Sequence, residues 1–294
     1  MDLLAYWRWD IYRRDLDEGA GFNFNSRQSR LHSAIEPGER LWLVTGKPTE
    51  QGTQYIVVAC LQVAAKTENP PDYRYGRYRV WADIKNSFYY SAADAPDTAP
   101  LLHRLQFVTN QPIQTENIGQ ALQTMRSLTP NDSTLMRQWA QNLPLEPRAH
   151  QIADEYTLEK AFDTDESKVR EIITAYHTGV SQTRRDALLR AFPRNRQYVN
   201  ELHNLYGGRC QLCGFDPLLI YGVRACNAHH IVYLSRGGRD ILENMMLLCP
   251  NHHDVIHAAT AVFDFRQLHY VFSNGRREPV VLNRHLPPQN AFTG

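Results

Sequence analysis

The chain has 294 residues, of which 43% are hydrophobic and 21% are charged. This composition excludes a disordered chain, and no apolar run approaches the ~18 residues that a membrane span needs. The formal net charge of +1 conceals a split, because residues 1–180 carry −4 and residues 181–294 carry +5, with arginine as the only cation in the second part. Guanidinium groups bind phosphate oxygens in a bidentate geometry, so the basic part indicates a polyanionic partner.

The pattern of residues 1 to about 110 predicts a β-rich region. Four segments rich in β-branched and aromatic residues are separated by turn-forming stretches. They are RLWLVT (40–45), QYIVVACLQVA (54–64), RYRVWADI (77–84) and LQFVT (105–109). Several short strands with one helix near residues 29–35 predict a small barrel rather than a parallel sheet.

From about residue 111 to residue 206 apolar residues stand three or four positions apart, which predicts helices. The predicted helices cover residues 117–128, 133–143, 167–177, 184–192 and 196–206. Ser133 and Ser167 stand where N-caps are expected. The last two predicted helices are rich in arginine, which indicates either a solvated helix face or a ridge that contacts phosphates. The candidate phosphate-binding residues are Arg184, Arg185, Arg194 and Arg196.

The chain has five cysteines and no secretory signal pattern at its N-terminus. An odd, clustered set favours metal binding in a reducing compartment over disulfides, and it predicts a cytoplasmic location. Cys210 and Cys213 form a CxxC pair, and Cys249 and His252 form a CxxH pair, spacings that suit tetrahedral Zn²⁺. Cys226 is a rival fourth ligand. We favour His252 because it repeats the two-residue spacing of the first pair.

The same region contains four histidines that a structural zinc does not require. His253 and His257 are four residues apart, which places both imidazoles on one face of a helix. His229 and His230 are adjacent in a predicted strand, so their side chains point in opposite directions. One of these two can therefore join the helical pair at a metal, while the other remains a free imidazole base.

Three segments of this region resemble the HNH, or ββα-metal, endonuclease motif. They are AHHIVYLSRGG (228–238), with its glycine turn Gly237-Gly238, then Glu243-Asn244, and LCPNHHDVIH (248–257). YGGRCQLCG (206–214) resembles the lead-in of the zinc-bearing branch of this family.

The resemblance implies a catalytic role for the extra histidines. His230 would be the general base, and His229, His253 and His257 would ligate one catalytic divalent ion. Asn244 would tie the loop between the strands and orient the base. The ion would be Mg²⁺, Mn²⁺, Co²⁺ or Ni²⁺, and the histidine at position 229, where many relatives have aspartate, leaves the preferred metal open.

The chemistry of phosphodiester hydrolysis agrees with these residue types. The reaction needs a deprotonated water, neutralisation of charge on the phosphoryl oxygens, and stabilisation of the departing 3′ oxygen. A neutral imidazole can accept the proton of the water near neutral pH, and a divalent ion at the phosphate can supply the other two effects. A zinc-ribbon DNA-binding domain without activity remains the alternative.

Segments of the N-terminal region resemble the PUA-like superfamily, which includes EVE and SRA modules. They are YWRWD (6–10), FNFNSRQSRLHSAIEPGERLWLVTG (22–46) and YGRYRVWADI (75–84). The resemblance implies a small β-barrel that accepts a flipped or modified base in an aromatic pocket. Its candidate residues are the pocket walls Trp7, Trp9, Phe24 and Trp42 and the edge readers Asp10 and Asn25. For each aromatic residue a place in the core or at the barrel rim is the alternative.

These interpretations combine into an α+β protein with a PUA-like β-barrel, a helical linker, and a ββα-metal HNH nuclease domain with a zinc knuckle pair. The predicted boundaries are 1–110, 111–195 and 196–294. This layout resembles that of modification-dependent, type IV-like restriction endonucleases, which implies hydrolysis of double-stranded DNA directed by a flipped modified cytosine or a similar base. One HNH centre cuts one strand, so a double-strand break predicts a homodimer. Two alternatives remain, an HNH nuclease of low selectivity whose N-terminal domain binds another partner, and a non-catalytic zinc-ribbon DNA-binding protein.

Overall fold

The computed structural model describes residues 1–150, 154–162, 166–176 and 182–286. The chain divides into two compact units. Unit 1 comprises residues 1–16, 22–66 and 72–150, and unit 2 comprises residues 17–21, 67–71 and 151–294. In the described ranges no helix has the length and apolar character to cross a membrane. The boundaries at residues 110 and 195 stay a prediction.

Unit 1 is built on a mixed seven-stranded sheet. Its strands are β1 (Leu3–Tyr6), β2 (Asn23–Ser26), β3 (Arg40–Thr49), β4 (Gly52–Glu68), β5 (Tyr78–Ala82), β6 (Phe88–Tyr89) and β7 (Arg126–Ser127). Their order is β2-β5-β4-β3-β1-β7, with β6 also paired to β4. Between the described residues of the outermost strands, β2 and β7, no pairing closes the sheet, so the predicted PUA-like barrel is not confirmed. The sheet is also not purely antiparallel, because β1 and β3 are parallel and the 33 residues between them form the crossover that such a pair requires.

Unit 1 also contains six short helices. They are α1 (Trp9–Glu18), α2 (Arg30–Ser33), α3 (Ala99–Leu102), α4 (Ile118–Ala121), α5 (Pro130–Ala140) and α6 (Pro147–His150). Three of them, α3, α4 and α5, pack on one face of this sheet. Trp42 on β3 and Val57 on β4 pack against Leu102, Leu122 and Met136 in one apolar cluster. Residues 41–46 of β3 and 55–61 of β4 are buried without interruption, so both faces of this strand pair are covered.

Two predicted elements of unit 1 differ from the structure, and Asp132 explains one of them. Residues 105–109 form a turn instead of a strand, because the carboxylate of Asp132 accepts the backbone N–H groups of Gln106 and Phe107 that a strand would use. Ser133 lies inside α5, and Thr129 is the N-cap, forming a capping box with Asp132. The predicted helix 117–128 is only α4, followed by β7.

Unit 2 contains a β-hairpin followed by a helix. Its helices are α7 (Glu155–Phe162), α8 (Glu166–Tyr176), α9 (Gln182–Tyr206), α10 (Pro217–Tyr221) and α11 (Pro250–Ala258), and its strands are β8 (Asn227–His230), β9 (Met245–Leu248), β10 (Val262–Asp264), β11 (His269–Val271) and β12 (Arg277–Pro279). Strands β8 and β9 are antiparallel, and β10, β11 and β12 form a second sheet. Helix α9 runs without interruption through the segment for which two helices were predicted. The hairpin and α11 together form a ββα arrangement.

The core of unit 2 holds the hairpin against two helices. Leu202 and Tyr206 on α9, Met245 and Leu247 on β9, and Ile256 on α11 are at most 1% exposed and belong to one apolar cluster. Because both strands and the first residues of α11 are fixed by this core, the side chains that project from its other side have defined positions.

Candidate active site and metal clusters

The first cluster brings together the residues of the CxxC and CxxH pairs. Cys210 and Cys213 lie in the turn after α9, and Cys249 immediately precedes α11, whose first turn carries His252. Nδ1 of His252 lies 3.2 Å from Sγ of Cys249 and 3.6 Å from Sγ of Cys210. Sγ of Cys213 is 4.0 Å from Sγ of Cys249. Ligands of tetrahedral Zn²⁺ are separated by about 3.5–3.8 Å, so these four residues fit a structural zinc ion.

The surroundings of this cluster also suit zinc. Burial raises the pKa of Cys210 to about 12, so a divalent cation is needed to stabilise its thiolate. Nε2 of His252 is 3.4 Å from Oε1 of Glu278, a carboxylate that can orient the ligating imidazole. The rival ligand Cys226 is 4% exposed and packs in the apolar core, outside the four clustered ligand atoms.

The second cluster joins three elements of unit 2. The predicted ligands His229 on β8 and His253 and His257 on α11 converge on Glu159, a residue of α7 outside the predicted motif. Oε2 of Glu159 is 3.2 Å from Nδ1 of His229, 3.0 Å from Nε2 of His253 and 2.8 Å from Nε2 of His257. The structure therefore places the three imidazoles at one point, together with a carboxylate.

The donor set of the second cluster fits a divalent ion. A carboxylate oxygen has two lone pairs, yet three imidazole nitrogens surround Oε2 of Glu159. Nδ1 of His229 and Nε2 of His257 also face each other at 3.1 Å. Neighbouring ligands of an octahedral ion bound at ~2.1 Å lie about 3.0 Å apart, which is close to these separations. Burial lowers the pKa of His229, which favours the neutral imidazole that binds metals.

His230 lies beside this cluster, but it is covered. The sequence predicts a base that faces substrate, whereas the residue is 1% exposed. Its Nδ1 is 3.2 Å from Oε1 of Glu159, its backbone N–H donates to the same oxygen at 2.7 Å, and its Nε2 is 3.5 Å from Oδ1 of Asp240. Burial by itself would lower the pKa of His230, but the carboxylates of Asp240, Glu159 and Glu155 outweigh burial and raise it to about 9. In this arrangement the imidazole is protonated near neutral pH and cannot accept a proton.

Glu159 is an ionised carboxylate at the centre of these histidines. Burial by itself would raise its pKa, but the imidazoles of His229, His230 and His253 outweigh burial and hold it well below its usual value. The two oxygens have different partners, because Oε2 contacts the three predicted ion ligands and Oε1 contacts His230. One side chain thus connects the ion site to the candidate base.

Asn244 braces the loop that connects β8 to β9. Its Oδ1 accepts the backbone N–H of Val232, and its Nδ2 donates to the carbonyls of Val232 and Arg239. Gly237 has φ 84°, and a Cβ on Gly238 would collide with the carbonyl oxygen of Val232. These contacts fix the backbone that follows His230, and thereby the position of its imidazole.

The sequence analysis missed Glu155, Glu159 and Asp240. Glu155 and Glu159 stand four residues apart on α7, a like-charge spacing that destabilises an isolated helix. Both are buried, and Glu155 accepts the backbone N–H groups of Leu234 and Ser235. The unfavourable spacing was the one available signal that these carboxylates have partners elsewhere in the fold.

The candidate base-binding residues of unit 1 occupy different environments. Trp7 is buried, with ring centroids 5.9 Å from Phe24 and 5.6 Å from Tyr12, and the ring of half-buried Trp9 is 5.7 Å from that of Tyr12. Trp42 is 1% exposed in the core, which is the place of a structural residue.

The two candidate edge readers have protein partners. The exposed Asp10 pairs with Arg8 at 2.8 Å. Oδ1 of Asn25 accepts from Nε of Arg79 at 2.8 Å, and the guanidinium of Arg79 lies 4.7 Å from the ring centroid of Trp81. Of the candidate pocket walls, Trp7 and Trp9 both contact Tyr12, Phe24 contacts Trp7, and Trp42 lies in the core.

Only one of the four candidate phosphate-binding arginines has a described side chain. Arg185 is half-buried on α9 and donates to Oε1 of Gln182 at 2.8 Å. The side chains of Arg184, Arg194 and Arg196 lie outside the described residues.

The hairpin and helix thus bring three imidazoles together, with a fourth imidazole beside them. Residues 210–259 match the family model described as HNH endonuclease. The C-terminal part of the chain therefore contains an HNH endonuclease domain, as the sequence motif predicted.

Two solved structures are similar to the chain over most of its length. One is a modification-dependent restriction endonuclease, TagI, with 14% identity and a TM-score of 0.27, covering 90% of this chain and 64% of that one. The other is the type IV phosphorothioation-dependent restriction endonuclease ScoMcrA, with 14% identity and a TM-score of 0.22, covering 86% of this chain and 50% of that one. No curated protein sequence matches the chain significantly.

Proposed function

We propose that the chain is a divalent-metal-dependent DNA endonuclease, and that it acts as a modification-dependent, type IV-like restriction enzyme. The convergence of three imidazoles beside a fourth, within an HNH domain, is the observation that supports hydrolysis of phosphodiester bonds. A divalent ion held by His229, His253 and His257 would neutralise the scissile phosphate and stabilise the departing 3′ oxygen.

His230 is the proposed general base. When it is uncovered and neutral, its imidazole accepts the proton of the attacking water. Asp240, 3.5 Å from Nε2 of His230, would orient the ring and stabilise the imidazolium that forms. Asn244 holds the following loop, so the base keeps its place beside the ion site.

Replacement of the base tests this mechanism. His230→Ala should keep the zinc cluster and the affinity for duplex DNA, while the rate of plasmid nicking with Mg²⁺ or Mn²⁺ falls by about 10²–10⁴-fold, the usual contribution of a general base. His103→Ala, which alters a half-buried histidine of unit 1, is the matched control and should nick normally. Unchanged nicking by His230→Ala would reject the mechanism.

Unit 1 is the proposed reader of the modified base. An HNH nuclease contacts the DNA backbone, so the choice of substrate needs a second module. The half-buried Trp9 supplies aromatic surface on which a flipped modified cytosine or similar base could stack, and the buried rings of Tyr12, Trp7 and Phe24 would hold it in place. The resemblance of the N-terminal segments to the PUA-like superfamily, whose modules accept a flipped base, supports this role.

Matched plasmids with and without 5-methylcytosine or 5-hydroxymethylcytosine test the reader. Preferential cleavage of one modified plasmid, reduced in Trp9→Ala, is the expected result. Equal cleavage of all plasmids would instead indicate an HNH nuclease of low selectivity. DNA binding without metal-dependent cleavage of any plasmid would indicate a non-catalytic zinc-ribbon protein.

A homodimer is the proposed active assembly on double-stranded DNA. One HNH centre cuts one strand, so a double-strand break needs two centres or two successive events. Sedimentation of the protein bound to modified duplex should show two chains per duplex. Monomeric complexes that yield only nicked product would contradict paired action.

A further inference from the structure

Helix α7 contributes the one carboxylate of the second cluster, and its anchoring shows that the contact is specific. Glu155 accepts two backbone N–H groups at the start of the 3-10 turn Leu234–Arg236, at 2.7 Å and 2.8 Å. Leu158 packs against Leu234 in a small apolar cluster. The ring of Tyr156 is 5.2 Å from that of His257. Polar, apolar and aromatic contacts thus fix α7 against the HNH domain within unit 2.

Glu159 completes a set of four protein ligands. A catalytic metal site keeps positions for water or substrate beside its protein ligands. The three imidazoles are the ion ligands that the HNH resemblance implies, and Oε2 of Glu159 lies close enough to them that it would hold one further position on the ion.

The second oxygen of Glu159 occupies the approach to the base. Oε1 accepts the backbone N–H of His230 and lies 3.2 Å from its Nδ1. A phosphodiester under attack must present one anionic oxygen to the ion and hold its reactive face towards the base. A carboxylate is also an anion with two oxygens, so Glu159 fills both places that the substrate needs.

We propose that Glu159 is a displaceable fourth ligand of the catalytic ion, and that helix α7 autoinhibits the nuclease by holding this carboxylate where the scissile phosphate must bind. The inference rests on the proposed nuclease function. Binding of substrate then requires Glu159 to leave, which opens the fourth position and uncovers His230 in one movement.

The test begins with metal binding, which does not depend on nuclease activity. Full-length, zinc-loaded protein is titrated with Co²⁺, and visible absorption reports the ligand set of the second cluster. Glu159→Ala and the isosteric Glu159→Gln should each weaken Co²⁺ affinity at least about tenfold, a loss similar to that for disturbing a metal's ligand shell. Glu171→Ala, an exposed charge change on α8, is the matched control and should bind Co²⁺ like the wild type. Unchanged affinity and spectrum in both Glu159 variants would overturn the proposal.

The second measurement tests displacement with inorganic phosphate as the probe. At saturating Co²⁺, phosphate should alter the spectrum of Glu159→Ala at a concentration at least about tenfold lower than for the wild type. This factor is expected if the carboxylate of Glu159 occupies the ion in about nine wild-type molecules in ten. Equal phosphate sensitivity would overturn the blocking role. Zinc content and thermal unfolding of Glu159→Gln show whether the variants retain the fold.

The third measurement is nicking of a short duplex at saturating metal. Glu159→Ala should nick at least about tenfold faster than the wild type, because the scissile phosphate no longer competes with the carboxylate of Glu159 for the ion. Loss of nicking in both variants with the ion bound would show that Glu159 is required, and it would overturn autoinhibition. If no protein nicks any duplex while the Co²⁺ and phosphate results hold, the proposed function fails and the ligand role of Glu159 stands.

Discussion

The two metal clusters of unit 2 share α11 but differ in the origin of their ligands. The cysteine cluster takes all its ligands from two local pairs, CxxC and CxxH. The histidine cluster takes three candidate ligands from the ββα arrangement and a carboxylate from Glu159, 70 residues before His229. A site with local ligand pairs can form as its own segment folds, and it stays closed. A site that borrows a ligand from a remote helix can open when that helix moves.

His252 and His253 show how adjacent residues serve different clusters. Successive residues on a helix point about 100° apart, so α11 directs His252 to the cysteines and His253 to Glu159. One helix thereby supplies both clusters, which couples the stability of the zinc cluster to the geometry of the active site.

Loss of the zinc cluster should have the largest effect. Cys249→Ser should abolish zinc binding and the cooperative unfolding of unit 2, because a structural zinc contributes about 10–16 kcal/mol of apparent binding free energy, as much as the whole stability of a domain. Zinc content and circular dichroism during heating measure this. Cys226→Ala is the control, and it should keep zinc at a cost of ~1–2 kcal/mol. Equal loss of zinc in both variants would restore Cys226 as a ligand.

Loss of one imidazole of the second cluster should weaken its metal binding without affecting zinc binding at the first cluster. His253→Ala should keep zinc and the fold, while Mn²⁺ affinity measured by calorimetry falls by more than the roughly 10–100-fold that loss of an outer-shell partner costs. His252→Ala, one residue away, should do the reverse and lose zinc. If His253→Ala releases zinc as well, the two clusters are not independent.

Loss of the loop brace should have a smaller effect. Asn244→Ala removes three hydrogen bonds at a 7% exposed residue, so we expect a decrease of about 2–3 kcal/mol in the free energy of unfolding. Urea denaturation measures it. Asn244→Asp keeps the acceptor but turns an anionic oxygen towards the carbonyls of Val232 and Arg239, so it should destabilise at least as much as Asn244→Ala. A change below ~0.5 kcal/mol in Asn244→Ala would show that the loop does not depend on this side chain.

Weakening of the α7 contact should have the smallest effect. Tyr156→Phe removes the hydrogen bond to Oδ1 of Asp254, which is exposed, so we expect ~0.5 kcal/mol or less in the free energy of unfolding. The ring still contacts His257. Amide hydrogen exchange of residues 155–162 should become faster, while exchange in β9 stays the same. Equal amide exchange rates of α7 in both proteins would show that Glu155 and Leu158 hold the helix without the hydrogen bond of Tyr156.

Much of the fold was predictable where patterns are local. The α+β class, the HNH domain and the strands β3, β4 and β5 of the N-terminal region follow from metal-ligand spacing, from segments rich in β-branched and aromatic residues, and from turn residues. The prediction of a strand at residues 105–109 was wrong, because Asp132, 25 residues after Phe107, accepts the N–H groups that the strand would use. The closed barrel is not confirmed, because strand pairing between remote segments decides closure and no local pattern encodes it.

By itself, the sequence determined which side chains are available to hold metals, because thiol and imidazole ligands reveal themselves by short spacings on a turn, a strand and a helix. Only the tertiary structure decided that Oε2 of Glu159 lies among the three imidazoles and that His230 is covered. Both features depend on α7, whose docking rests on contacts with residues more than 70 positions away. Such contacts are set by packing, and packing has no signature in the order of neighbouring residues.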